Sequence, residues 1–390
     1  MKSTLKVGII SANWSLKVHG AAWRLLPGVE VAAICTAHRE TAEAAAAAFN
    51  VPRAYWSVED LVADAELDII DVGTRPAYRY PMVMAALRAG KHVYQALPFA
   101  TDVARADQMR DAQQSRGLTG VVDAQFRWVP AAQHMKRLID AGFLGQPLGF
   151  NVQLFLPLHR HDGCVYPHAA YPGGGLQPYK WLAERSSGAS GWRNFGTHAL
   201  LLLTHLLGDV QELGGTLARG IERWHLPDGS TLLAENDDLG SAVVRLANGA
   251  TGTVQTGWCV PDTAGLRAEL WGDRGRLLYE DPSFGDGVSA RLFAGDASPV
   301  AYGHQSGSWL DIPAHLYEVP GTAINKANAP PFMLSMAWMF HDMLRTIRHG
   351  GPGSPSFGEA AHVHRAVEAL GRAHEERRWV RLDELSPAAH

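Results

Sequence analysis

Between Lys6 and Val122, short apolar and β-branched runs fall at Lys6 to Ile10, Glu30 to Ile34, Ile69 to Val72, His92 to Tyr94 and Gly120 to Val122. Polar stretches separate them, with apolar positions recurring at helical spacing. The runs predict strands and the stretches predict helices. Thr41 to Phe49 is Ala-rich, Ser57 with Asp60 makes a capping-box-like start before Leu61 and Val62, and Thr101 to Gln114 keeps a helical period. Strand and helix alternating this often predict a doubly wound parallel sheet. Such sheets bind ligands beyond the carboxyl ends of their strands, where the crossover direction switches.

After Arg127 the pattern changes. Val129 to Ala141 predicts a helix, Leu148 to Leu156 a strand, and Asn194 to Leu207 a strongly apolar helix. Asp238 to Val244, Thr251 to Trp258, Leu266 to Trp271 and Arg276 to Tyr279 alternate as antiparallel strands do, with Asn248-Gly249 and Asp273-Arg-Gly275 as turns. Helices over Pro331 to His349 and Gly358 to Arg372 follow, joined by Gly350 to Pro355. The expected class is α/β: a Rossmann-like domain over 1–125 and a mostly antiparallel α+β domain over 126–390, whose last helices could pack back on the first.

Composition sharpens this. A chain of 390 residues with 46% apolar and 19% charged residues is that of an ordinary globular protein. Thirty-five Lys plus Arg against 39 Asp plus Glu leave a net charge of −4, no excess for gripping a nucleic-acid backbone. Cys35, Cys164 and Cys259 are too few and scattered for a disulfide framework, so a reducing, cytoplasmic setting is expected. Leu200 to Leu207, interrupted by Thr204 and His205, is too short to span a bilayer, and the first residues read as a strand, not a signal peptide.

Val7-Gly8-Ile9-Ile10 leading to His19, Gly90-Lys91-His92-Val93 ending in Pro98-Phe99, Arg127-Trp128-Val129-Pro130, Leu138 to Gly145, Asn194-Phe195-Gly196-Thr197-His198, Asn248 to Thr253 and Pro355-Ser356-Phe357 come in this order. The series resembles the Gfo/Idh/MocA family over nearly the whole chain. That resemblance implies nicotinamide-dependent sugar or polyol dehydrogenases, with a Rossmann domain followed by a large open sheet.

The chain departs from that family at informative places. The G-x-G-x-x-G loop is replaced by Ser11-Ala12-Asn13-Trp14-Ser15-Leu16. Ser11 is small enough for a tight turn, Asn13 tolerates positive φ, and Leu16 stands where close helix-to-strand packing normally excludes a side chain. A remodelled but retained diphosphate cradle is the expectation. The carboxylate that meets the ribose hydroxyls of NAD is absent. Thr36 stands there, with His38 and Arg39 after it, which favours NADP while leaving NAD open. Thr74-Arg75-Pro76 resembles the loop beside the cofactor, and Arg75 could meet a phosphate or a substrate carboxylate. By resemblance, Gln95, Pro98 and Gln125 complete the cofactor contacts.

In Tyr94-Gln95-Ala96-Leu97-Pro98, Leu97 occupies the position of the family's catalytic Lys and can donate no proton. Asn194-Phe195-Gly196-Thr197-His198-Ala199-Leu200-Leu201 resembles the family's second catalytic motif, Asp-x-Gly-x-His-x-x-Asp, with only His198 kept among its ionisable members. An imidazole titrates near neutrality and suits proton exchange with a hydroxyl, with Asn194 to orient it. Lys180 or Arg193 could fill the electrostatic vacancy. Arg127, Tyr171 and Trp181, with Trp192, are the remaining expected substrate contacts, the aromatic members as pocket walls. The polar cluster His159-Arg160-His161-Asp162-Gly163-Cys164 with His168 matches no zinc spacing, so no metal is expected. The expected activity is hydride transfer between NAD(P) and a hydroxyl or carbonyl carbon of a sugar-like or cyclic small molecule, by a homo-oligomer with no nucleic-acid or membrane partner. The alternatives are a redox-inactive dinucleotide or sugar sensor and, third, non-redox lyase or hydrolase chemistry on the same fold.

Overall fold

The computed structural model describes residues 4–160, 163–164, 180–226, 228–283, 287–296, 307–351 and 353–385. Six strands open the chain: β1 (Leu5–Ile10), β2 (Val29–Cys35), β3 (Arg53–Tyr55), β4 (Ile69–Val72), β5 (His92–Gln95) and β6 (Gly120–Val122). They pair in parallel in the order β3-β2-β1-β4-β5-β6. β4 and β6 are buried at every residue, as a sheet covered on both faces requires. The crossovers carry α1 (Gly20–Trp23), α2 (Arg39–Ala48), α3 (Val58–Ala63), α4 (Pro76–Arg88) and α5 (Val103–Ser115). The winding reverses between β1 and β4, so the ends of these strands frame a crevice.

The turn after β1 is built without a glycine. Ser11 itself takes the positive φ, 118°, whereas Asn13, the expected carrier, does not. The Asn13 N–H donates to Ser11 Oγ at 3.4 Å. The chain then enters a wide helical turn, Ser15–His19, which sends Leu16 into the core at 1% exposure and not into the crevice. The close approach that a third glycine would allow is supplied from the opposite strand. A Cβ on Gly73, just after β4, would lie 1.4 Å from Ser15 Oγ. We expect Gly73→Ala to push this turn off the sheet, lowering stability by about 1–3 kcal/mol as overpacking does. A denaturant midpoint unchanged by the substitution would show that the contact relaxes freely.

Beyond β6, α6 (Pro130–Asp140) leads to β7 (Pro147–Phe155), a small hairpin of β8 (His159–Arg160) and β9 (Gly163–Cys164), and α7 (Thr197–Leu207). Then follow β10 (Val210–Ala218), the hairpin β11 (Arg223–His225) and β12 (Thr231–Leu233), and β13 (Leu239–Leu246), β14 (Thr251–Gly257), β15 (Leu266–Gly272), β16 (Gly275–Asp281), β17 (Arg291–Asp296) and β18 (Ser308–Leu310). The last elements are α8 (Met333–His349), α9 (Phe357–Glu376) and β19 (Val380–Arg381). Nine strands form one sheet, β18-β17-β16-β15-β7-β14-β13-β10-β19, antiparallel except where β7 meets β14. α7 is buried along nearly its whole length, so its apolar run is a core helix. α9 starts from a capping box, Ser356 with Glu359. α8 packs back on the first sheet, Phe340 stacking on Trp23 with ring centroids 3.7 Å apart.

Candidate active site

A cavity of about 800 Å³ opens over the carboxyl ends of the parallel strands. That is ample for a dinucleotide fragment and a small molecule together. Ser11, Thr36, Ala37 and Trp56 line one end; Gly73, Thr74 and Arg75 line the middle; Leu97, Asp123, Gln125, Asn194 and His198 line the other. Leu158, Trp181, Leu182, Phe195 and Trp258 wall the last part with apolar surface.

His198 stands on the first turn of α7, held between Phe126, edge-on at 5.0 Å, and Phe195. Burial pushes its imidazolium down to about 4, Asp123 pulling the other way, so the ring is neutral at physiological pH. Its Nδ1 is buried without a protein partner, as are Asp123 Oδ1 and Gln125 Oε1 in the same wall. A buried hydrogen-bonding atom without a protein partner calls for a ligand or an ordered water.

Behind this wall lies an ionic network. His19, fully buried, bonds Asp71 Oδ1 through Nδ1 at 3.0 Å and Asp123 Oδ2 through Nε2 at 3.1 Å. Burial alone would depress the imidazolium, but the two carboxylates overcome it and raise it to about 10. Burial alone would likewise raise the Asp123 carboxyl, yet the His19 charge beside it holds it below the usual carboxylate range. Trp23 Nε1 donates to Asp71 Oδ2 at 3.0 Å and Trp14 Nε1 to Asp123 Oδ2 at 3.2 Å. Trp14 is thereby fixed in the cavity wall, edge-on to Phe332.

The structure brings together Ser11, Ala12, Asn13, Trp14, Thr36, Thr74, Arg75, Gln125, Trp181, Asn194 and His198 of the expected site. Several others lie elsewhere. Lys180 is half exposed and paired with Asp228 at 2.8 Å, so its side chain is drawn to the loop between β11 and β12 while Trp181 and Leu182 of the same turn line the cavity. Arg193 is held by Glu368 at 2.6 Å and by the Thr101 carbonyl. Arg127 is buried against Glu359 at 2.6 Å, Ser354 and the Leu201 carbonyl, welding α9 to the first sheet. None of these three reaches the cavity, since each charge is spent on an internal partner. Gln95 points its amide at the Phe99 carbonyl, and Pro76 and Pro98 shape backbone without lining the space. His38 offers only its carbonyl, to the Thr36 and Thr41 hydroxyls. Arg39 pairs with Glu43 at 2.8 Å and lies over the Trp56 ring. Tyr171 and most of the His159 to His168 cluster lie outside the described residues.

Asp71, Asp123 and Arg79 escape a motif-based reading. The usable signal for Asp71 is a charge inside the apolar run Ile69-Ile70-Asp71-Val72, which a doubly covered strand admits only if it is paired. The Ser11 turn, the strand-end location and the three orphaned polar atoms fit a nicotinamide dinucleotide.

A family model described as an oxidoreductase family with an NAD-binding Rossmann fold matches residues 5–124, and a Gfo/Idh/MocA C-terminal domain model matches 132–278. An uncharacterized oxidoreductase of Synechocystis is 25% identical over 98% of this chain and 97% of its own length. A levoglucosan dehydrogenase of Pseudarthrobacter phenanthrenivorans is 23% identical over 98% of this chain and 99% of its own. A solved levoglucosan dehydrogenase in complex with NADH superposes with a TM-score of 0.81 at 20% identity, covering 97% of this chain and 99% of that one. A solved NAD-binding oxidoreductase from Klebsiella pneumoniae gives 0.82 at 22% identity, with coverage of 97% and 99%.

Proposed function

The chain belongs to the Gfo/Idh/MocA oxidoreductases, and from that premise we propose that it is an NAD(P)-dependent dehydrogenase or reductase with His198 as its acid/base. Residues 1–125 hold the cofactor and 126–390 supply most of the substrate wall. The carrying observation is the neutral, buried His198 ring in the cavity wall, with Asn194 one helical turn before it. A bound nicotinamide ring supplies the acceptor or donor of hydride. His198 takes the proton of a substrate hydroxyl as that carbon loses hydride, or returns it to the oxygen in the reverse direction. Asn194 orients the hydroxyl, Asp123 and Gln125 offer acceptors in the wall, and Leu97 excludes water.

Trp181, Phe195 and Trp258 offer flat apolar faces and Leu158 adds aliphatic surface, which suit the carbon skeleton of a sugar-like or cyclic substrate. The naming of one relative for levoglucosan supports the same class. A panel of cyclic alcohols, anhydro sugars and polyols with each cofactor tests this reading. Turnover supports it; tight cofactor binding with no turnover across the panel leaves the sensor.

Among the described residues, no carboxylate lines the Thr36 end of the cavity, and the Arg39 cation lies over the ring of Trp56, which does line it. We therefore expect NADPH to bind more tightly than NADH, by about tenfold for one added charge-assisted contact, and Arg39→Glu to reverse the order. Fluorescence titration with both cofactors reads this directly, and equal affinities in the unmodified protein count against Arg39.

A further inference from the structure

Arg79, on α4, is 2% exposed and belongs to the cavity wall. Its guanidinium donates to the carbonyls of Ala96, at 2.6 Å, and of Pro98, the two residues flanking Leu97, and to the carbonyl of Thr74. Its Nε is buried without a partner, and no carboxylate lies within 4.0 Å of it among the described residues. Burial pulls its pKa down to about 9, against the opposing pull of Asp123 and Asp71, which leaves it charged at neutral pH.

A buried cation lacking an ion-pair partner is expensive, and carbonyl dipoles repay only part of the cost. Three carbonyls call for more donors than an amide or a hydroxyl carries, and the guanidinium that supplies them brings a full charge into the cavity wall. The charge also sits immediately behind Leu97, the position where the family resemblance places an ammonium. We propose that Arg79 supplies, from beneath Leu97, the positive charge that steadies the substrate oxygen as that oxygen gains or loses negative charge. Resting on the oxidoreductase reading, this makes Arg79 an electrostatic positioning residue and His198 the proton carrier. No proton leaves Arg79. The hydroxyl proton goes to His198, the hydride with its electron pair goes to the nicotinamide, and the C–O bond becomes C=O.

A cation in this place also disfavours the positively charged oxidised cofactor relative to the reduced one, which gives a readout independent of turnover. Arg79→Met should shift the ratio of oxidised to reduced cofactor affinity towards the oxidised form by about tenfold or more, for one charge across several ångströms at an effective dielectric near 20. Turnover should fall about 10²-fold. Leu97→Lys added to Arg79→Met should move the ratio back and recover at least about tenfold in turnover, because the cation is restored on the cavity side of the same loop. An unmoved affinity ratio, or a double variant no better than the single one, overturns the proposal. Leu97→Lys alone keeps the test open if loss of Arg79 cripples folding. A second cation should lower oxidised-cofactor affinity a further several-fold, and an unchanged ratio overturns the proposal equally. Failure of the unmodified protein to bind either cofactor form would instead sink the oxidoreductase reading itself.

Discussion

His198→Ala lowers turnover by about 10² to 10⁴-fold, the usual cost of losing a positioned proton carrier, and leaves cofactor affinity within about threefold. The affinity should persist because the cradle residues Ser11, Ala12 and Asn13 and the Thr36 end lie away from α7. The pH dependence is the sharper signature. With its imidazolium pushed down to about 4, His198 is a free base at every pH above about 5, so oxidation of the alcohol should run flat from neutrality and fall only as pH drops towards 4. Reduction of the carbonyl needs the protonated ring and should rise over the same interval. An acid limb centred near 6.5 in the oxidation profile, or full turnover by His198→Ala, removes His198 from this role.

The doubly wound half was legible because its signals are local. Apolar runs such as Val7 to Ile10 and Ile69 to Val72 fix the strands, and polar stretches fix the crossovers. Elements without such a run were not legible: β3 is a three-residue edge strand, and α4 carries Pro81 inside and Pro76 at its start, which reads as loop. Arg79 was hidden with α4. His198 and Asn194 were legible because their motif is contiguous and one helical turn presents both to the cavity. Lys180, Arg193 and Arg127 were misplaced for the opposite reason. A charge near a motif says nothing of its partner, and Asp228, Glu368 and Glu359 are each 40 or more positions away in sequence. Ser11 shows a further limit: sequence points to Asn13 for positive φ, but the hydrogen bond of the Ser11 N–H to the Cys35 carbonyl places the bend one step after the strand.

Asp71→Ala should be the most damaging single change in the first domain. The substitution leaves the His19 imidazolium, fully buried, with Asp123 alone and strips Trp23 Nε1 of its acceptor. Breaking a buried pair from one side costs about 3–5 kcal/mol, a large part of a typical domain's stability, and urea titration should show a matching fall in midpoint. Because the folded state raises His19 from 6.5 to about 10, its contribution is full below pH 6.5 and drains away as pH climbs towards 10. Asp123 works in reverse: its folded carboxyl lies below 3.8, so its contribution is present above that value and lost as pH falls through the folded one. Stability should therefore decline on the alkaline side with a slope that Asp71→Ala flattens, since fewer charges then favour protonated His19. Trp14 and Asp123 belong at once to this network and to the cavity wall, so loosening it should also weaken cofactor binding. A variant with unaltered stability and an unaltered alkaline slope would mean that His19 is neutral in the fold and that the wall stands without the ionic network.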